Sequence, residues 1–98
     1  MNDTPTSRHA TDNRLRQALI DAILFRTEQE LEDAIPPDIP KDAHEAILQD
    51  LLSNSRFVMG KFSLEQLQDN CLLDRHIESA VASAEYLVRR IQAQRRRS

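Results

Sequence analysis

The chain has 98 residues, of which 40% are apolar and only 4% aromatic, and its formal net charge is −3 at pH 7. This length allows one domain with a modest core, which must be built mainly from Leu, Ile, Val and Ala. A single glycine excludes a set of tight β-hairpins, and no apolar run approaches the roughly 18 residues of a membrane span, so the composition favours an all-α fold without a membrane segment.

The first eleven residues are polar, include Pro5 and show no apolar period. We therefore expect residues 1–11 to form a flexible N-terminal tail and residues 12–98 to form a single helical domain. The N-terminus also lacks the basic and then apolar profile of a signal peptide. Because Cys71 is the only cysteine and cannot form an internal disulfide, we expect a cytoplasmic protein.

The first predicted helix covers residues 12–35, with Thr11 or Asp12 as its N-cap. Two neighbouring apolar stripes at helical spacing predict a wide buried face. Pro36 and Pro37 end the helix, because neither can donate a backbone hydrogen bond. The stripes consist of Leu15, Leu19, Ile20, Ala22, Ile23, Leu24, Thr27, Leu31, Ala34 and Ile35.

A second predicted helix covers residues 41–59 and starts after the proline-rich connector, residues 36–40. We expect it to stop at Gly60, which can take the left-handed conformation that closes a helix because it has no Cβ. Asn54 and Ser55 are weak helix formers, so a break near residue 54 is an alternative.

The third predicted helix, residues 63–95, begins with a capping box formed by Ser63 and Gln66. Phe62 and Leu67 have the spacing of a hydrophobic staple. Unbroken, this helix would be about 50 Å long and would exceed the other two. Either it breaks near residues 70–74, or its far end packs against another chain. The predicted fold is a small bundle of three main helices.

From Leu73 to Ile91, six apolar residues of this third helix are separated by alternating steps of four and three, a spacing that is typical of paired helices. Alanines within the pattern allow another helix to approach closely. We therefore predict a homodimer, and the main competing interpretation is a monomer whose third helix folds back after a break near Asp74. The predicted interface residues are Ile77, Ala80, Ala84, Leu87 and Ile91.

Charge is divided unevenly along the chain. Residues 1–50 contain eleven acids and five bases, a net charge of −6, whereas residues 51–98 contain five acids and eight bases, a net charge of +3. We predict an acidic docking face formed by Glu28, Glu30 and Glu32. The C-terminal basic patch consists of Arg89, Arg90, Arg95, Arg96 and Arg97.

Patterns that carry catalysis or ligand binding are missing from the sequence. Neither His44 nor His76 has a ligand-type residue four positions away, and His9 lies in the predicted tail, so no metal site is predicted. Cys71 lies in an apolar stretch, which indicates a buried structural thiol rather than a reactive one. One glycine cannot build a phosphate-binding loop. We therefore predict no catalytic residue, no cofactor and no enzymatic activity.

Docking on another protein is the function that these features favour. The sequence suits a non-enzymatic interaction module, such as a small dimeric regulator, an inhibitor or a chaperone-like adaptor. The alternative is a nucleic-acid-binding regulator that contacts phosphates through the arginine-rich C-terminus. Against this alternative, the isoelectric point is about 5.5 and no aromatic residue lies among the last arginines.

Overall fold

The computed structural model of the protein describes the backbone of residues 4–97 and the side chains of residues 11–97. Four helices follow one another along this part of the chain, and it contains no strand. The prediction of an all-α fold is therefore confirmed. The helices are α1 (Thr4–Ala34), α2 (Lys41–Gly60), α3 (Leu64–Leu67) and α4 (Asn70–Arg97).

Helix α1 begins at Thr4, so its predicted start at residue 12 is wrong. Pro5 lies in the first turn, where the missing N–H would have no helical acceptor in any case. Apolar periodicity detects only a buried face, and residues 11–14 are all exposed. A polar helical extension therefore leaves no periodic signal in the sequence. The remainder of the predicted tail, residues 1–3, lies outside the described residues.

The proline-rich connector is fixed at its centre to the far end of α4. The Asp38 carboxylate accepts a hydrogen bond from Gln92 Nε2 at 3.3 Å, and the Asp38 carbonyl oxygen accepts one from the Arg95 guanidinium. Ile39 is buried beside these contacts, with 5% of its surface exposed. The connector thus holds the end of α1 and the start of α2 at a fixed separation.

Helix α2 continues through Gly60 in ordinary helical geometry. No glycine among the described residues has a positive φ, so the predicted left-handed cap is wrong. Two tight backbone hydrogen bonds close the helix instead, from Lys61 N to Val58 O at 3.0 Å and from Phe62 N to Met59 O at 3.1 Å. Such i to i+3 bonds satisfy terminal carbonyl groups without a left-handed residue.

The predicted capping box at the start of α3 is confirmed. Gln66 N donates to Ser63 Oγ at 3.1 Å, and Ser63 N donates to Gln66 Oε1 at 2.8 Å. Phe62 packs against the same apolar cluster that contains buried Leu67. The two bonds fix the direction in which the chain leaves α2.

The third predicted helix is broken at residues 68–69, just before the interval that the sequence indicated. Asp69 caps α4, because its carboxylate oxygen Oδ1 accepts hydrogen bonds from Cys71 N at 3.1 Å and from Leu72 N at 3.2 Å. A carboxylate in this position satisfies N–H groups that have no partner within the helix. The cap therefore starts a new helix rather than continuing α3.

Two apolar clusters follow each other along α1, and this helix contributes to both. Because α1 and α4 enter the clusters in the same order and α2 enters them in reverse, α1 and α4 run parallel and α2 runs antiparallel to them. The connector-end cluster is Leu31, Ile35, Ile39, Ile47, Ala80, Ala84 and Val88. The turn-end cluster is Ile20, Ile23, Leu24, Met59, Leu67 and Leu73.

We expect Gly60→Ala to leave stability unchanged or to raise it by up to about 1 kcal/mol, because alanine is favoured over glycine in helical geometry. A Cβ at this position would meet no atom within 4 Å. Urea denaturation measures the effect, and Gly60→Asn is the matched control, since asparagine tolerates a left-handed cap better than alanine does. An asparagine variant more stable than the alanine variant would contradict the observed helix end.

Candidate protein-interaction site

The surface between α1 and α2 contains an open groove with a volume of about 410 Å³. Glu28 and Glu32, one turn apart on α1, form one wall, and Glu45 lies on the opposite wall. Leu48 and Leu52 of α2 line the groove, and both are half-buried because they also pack against the apolar core. The groove therefore combines acidic walls with an apolar floor.

A second depression, of about 480 Å³, extends this surface along α1. It shares Glu28 and Glu32 with the groove, and it adds Asp33 and Phe25, whose ring is 63% exposed. Helical spacing brings these residues to one side of α1, because Phe25 is three, seven and eight positions from Glu28, Glu32 and Asp33. We call the joint surface the acidic groove, defined by Phe25, Glu28, Glu32, Asp33, Glu45, Leu48 and Leu52.

The structure divides the predicted acidic docking face into two parts. Glu30 lies in a different groove, between α1 and α4, because two residues along a helix turn a side chain through roughly 200°. That second groove also contains an ion pair between Arg26 and Asp74 at 2.8 Å, with both side chains about half exposed. Of the three residues of the predicted face, only Glu28 and Glu32 therefore lie on the same surface.

The five predicted interface residues of α4 are divided between core and surface. Ile77, Ala80 and Ala84 are buried within the chain itself, and Ala84 has no exposed surface. Leu87 and Ile91 are half-buried and line a shallow depression between α2 and α4. The first three residues of the predicted dimer interface are therefore already used to pack α4 against the other helices of its own chain.

All five arginines of the predicted basic patch are exposed on the last turns of α4. Two of them have contacts within the chain. Arg90 Nη1 donates to the Tyr86 hydroxyl at 3.2 Å, and Arg95 donates to the carbonyl of Asp38. The patch therefore lies at the connector end of the bundle, and none of its arginines lines the acidic groove.

A partly buried hydrogen bond between α2 and α4 is the polar feature that sequence reasoning missed. His76 Nε2 lies 2.9 Å from Ser55 Oγ, and Ser55 is only 1% exposed. Burial lowers the pKa of His76 from its ordinary value of 6.5, because desolvation disfavours the charged imidazolium. Ser55 occupies the apolar stripe of α2, but its partner depends on the register of two helices, which the sequence does not specify.

Cys71 is exposed, so the expectation of a buried thiol is wrong. The break at residues 68–69 places it in the first turn of α4, outside both apolar clusters. Within the part of the chain that the structure describes, no group of three or more His, Cys, Asp or Glu residues could hold a metal ion.

Comparisons with known proteins give no relative: the chain matches no protein-family model, no curated protein and no solved structure. None of the described helices is both long and apolar enough to cross a membrane. The class of protein that the fold defines is thus a small all-α bundle.

We expect the bundle to lose stability as the pH falls below about 6.5 because of His76. Its folded pKa is depressed, so the unfolded chain takes up the proton first as the pH falls, and protonation favours unfolding from 6.5 down through the folded pKa. The measurement is urea denaturation at pH 7.5 and at pH 5.5. His76→Gln, whose amide can still reach Ser55, should reduce the difference between the two values.

His44→Gln is the control for this measurement, because it removes another histidine without touching the hydrogen bond to Ser55. That variant should keep the pH dependence of the unmodified chain. An equal pH dependence in the His76→Gln variant would show that other groups cause the loss of stability.

Proposed function

We propose that the protein is a non-enzymatic interaction module that docks on a partner protein through the acidic groove. The observation that carries this proposal is the pair of half-buried leucines, Leu48 and Leu52, within a rim of carboxylates, with the exposed Phe25 in the adjoining depression on α1. Exposed apolar groups surrounded by polar residues are typical of protein-binding surfaces. Such a module would act as a small regulator, an inhibitor or an adaptor, and the cytoplasm is its expected compartment.

The charges of the groove support docking on a cationic surface. Its rim has four acids, Glu28, Glu32, Asp33 and Glu45, and a single base, Lys41. Complementary charge speeds and orients the encounter more than it adds to affinity. A role for these acids should therefore appear mainly in the association rate and in its salt dependence.

A homodimer is the second part of this proposal. It would use Leu87 and Ile91, the two half-buried residues of the predicted interface. Leu87 and Ile91 lie beside Asp50 and Arg90, which provide one charge of each sign at the same depression. In a contact with two-fold symmetry, each surface meets its own copy, so an acid and a base on one surface can pair across the axis.

To test docking, a photo-crosslinking amino acid would replace Gln29, which lies in the acidic groove, in the native host. We expect one partner protein to be crosslinked, and its yield should fall several-fold in the Glu28→Gln/Glu32→Gln variant, because the charges that steer it are lost. Mass spectrometry identifies the adduct.

The matched controls lie in the groove between α1 and α4. A crosslinker at Ala82 should not capture the same partner, and Glu30→Gln/Glu78→Gln removes the same charge from that other surface without lowering the yield. Equal capture from both positions would contradict docking through the acidic groove.

The nucleic-acid alternative gives a different result in a titration with duplex DNA at two salt concentrations. Contacts between arginines and phosphates make affinity fall steeply with salt. Micromolar or tighter binding that is lost on deletion of residues 95–97 would overturn the docking proposal in favour of nucleic acid.

We expect sedimentation velocity to show a dimer at high protein concentration and Ile91→Gln to shift it toward the monomer, since a polar side chain weakens an apolar contact. Phe57→Gln is the control, because Phe57 is 63% exposed on α2 outside this depression. A monomer at every concentration would rule out the dimer, whereas equal dissociation by both variants would place the contact elsewhere.

A further inference from the structure

We infer that the occupant of the acidic groove is a basic amphipathic helix of roughly three turns, supplied by another protein. This inference rests on the proposed function and adds the chemistry of the partner. It is carried by the dimensions of the groove, the order of its apolar side chains and the sign of its charge.

The two walls of the groove have the length of a short helix. On α2 the lining covers residues 41–52, about 16 Å of helix axis. On α1 only Glu28 and Glu32 line the groove beside α2, and residues 25–33, about 12 Å, include the adjoining depression on α1. A helix of about eleven residues spans the longer wall. Because α1 and α2 run antiparallel, a helix laid along the groove would follow the axes of both.

Apolar side chains are placed so that one stripe of a helix can contact them. Leu48 and Leu52 lie one turn apart on α2, and the exposed Phe25 lies in the adjoining depression on α1. A helix bound in a groove presents apolar residues at positions i, i+3 or i+4, and i+7. The predicted occupant therefore has two or three large apolar residues at this spacing.

Carboxylates flank the apolar floor, and among the described residues none of them belongs to an ion pair, although Lys41 lies on the same rim. The one ion pair in this part of the chain joins Arg26 to Asp74 in the other groove. Glu28, Glu32 and Glu45 thus remain available to lysine or arginine side chains on both sides of the apolar stripe of the occupant. Charge complementarity selects a basic helix over a neutral or acidic one.

Other occupants fit these observations less well. The described residues contain no strand, so an extended peptide has no sheet edge to join. The acidic rim repels the phosphates of a nucleic acid. In a second copy of this chain, the arginine-rich end of α4 has Val88 buried, and Leu87 and Ile91 are half-buried beside α2, so it presents no complete apolar stripe to the groove.

The test uses a synthetic probe: a helical peptide of about 14 residues with leucine at helical i, i+3, i+4 and i+7 spacing and lysine elsewhere. Fluorescence anisotropy measures its binding to the full chain. We expect saturable one-to-one binding that weakens on the order of tenfold in Glu28→Gln/Glu32→Gln and several-fold in Phe25→Ser. Glu30→Gln/Glu78→Gln should bind the probe as the unmodified chain does.

Two control peptides separate the contribution of the apolar stripe from the contribution of the charge. A scrambled peptide of the same composition keeps the charge but loses the stripe, and a peptide with glutamate in place of lysine keeps the stripe but reverses the charge. Equal binding of the scrambled peptide, or equal loss in both double variants, would overturn the inference, because only non-specific attraction would remain.

The outcome also distinguishes the inference from the proposed function on which it rests. If the basic peptide fails to bind while the crosslinker at Gln29 still captures a partner, the groove docks a partner of different chemistry and the inference is wrong. If neither experiment shows binding at the groove, the proposed function is wrong as well.

Discussion

Burial of the aliphatic face of α1 is the constraint on which the rest of the structure depends. The chain has so few aromatic residues that its core must spread along a helix instead of gathering around a large ring. Leu31 and Thr27 of α1 have no exposed surface, and burial of one aliphatic side chain contributes about 1.5–3 kcal/mol. Because α1 supplies both apolar clusters, α2 and α4 must pack on it side by side.

The grooves follow from this arrangement. Two cylinders that contact a third leave a furrow along each line of contact, so α1 borders one groove with α2 and another with α4. The helical period then decides which acids reach which groove. Glu28 and Glu32 face α2, whereas Glu30 faces α4. A cluster of acids in the sequence thus becomes two surfaces of different composition.

Sequence signals that involve neighbouring residues predicted helix ends and caps better than signals that depend on packing predicted the contacts between helices. The Ser63–Gln66 capping box and the stop at Pro36 involve neighbouring residues, so the sequence contains the whole interaction. Gly60 was misjudged because glycine permits a left-handed cap but does not require one. The spacing around Ala84 shows that a helix packs against something, and it cannot say whether that neighbour is the same chain.

For the same reason, only part of the candidate site could be predicted from the sequence. Glu28 and Glu32 share a face by local geometry, and this much could be predicted. Their position opposite Glu45 and Leu48 depends on the separation of α1 and α2, which the contacts of Asp38 with α4 hold fixed. The bond between His76 and Ser55 likewise depends on the register of α2 and α4.

The apolar floor of the acidic groove connects binding with stability. Leu48 and Leu52 pack against the core on one side and face the groove on the other, so an occupant would complete their burial. A domain of this size has little surplus stability, and any ligand that binds only the folded state raises it by mass action. In the proposed docking, binding and folding would therefore depend on the same leucines. A substitution at either position would weaken both, whereas a change at exposed Phe25 or Glu32 isolates binding, because these side chains contribute little to the core.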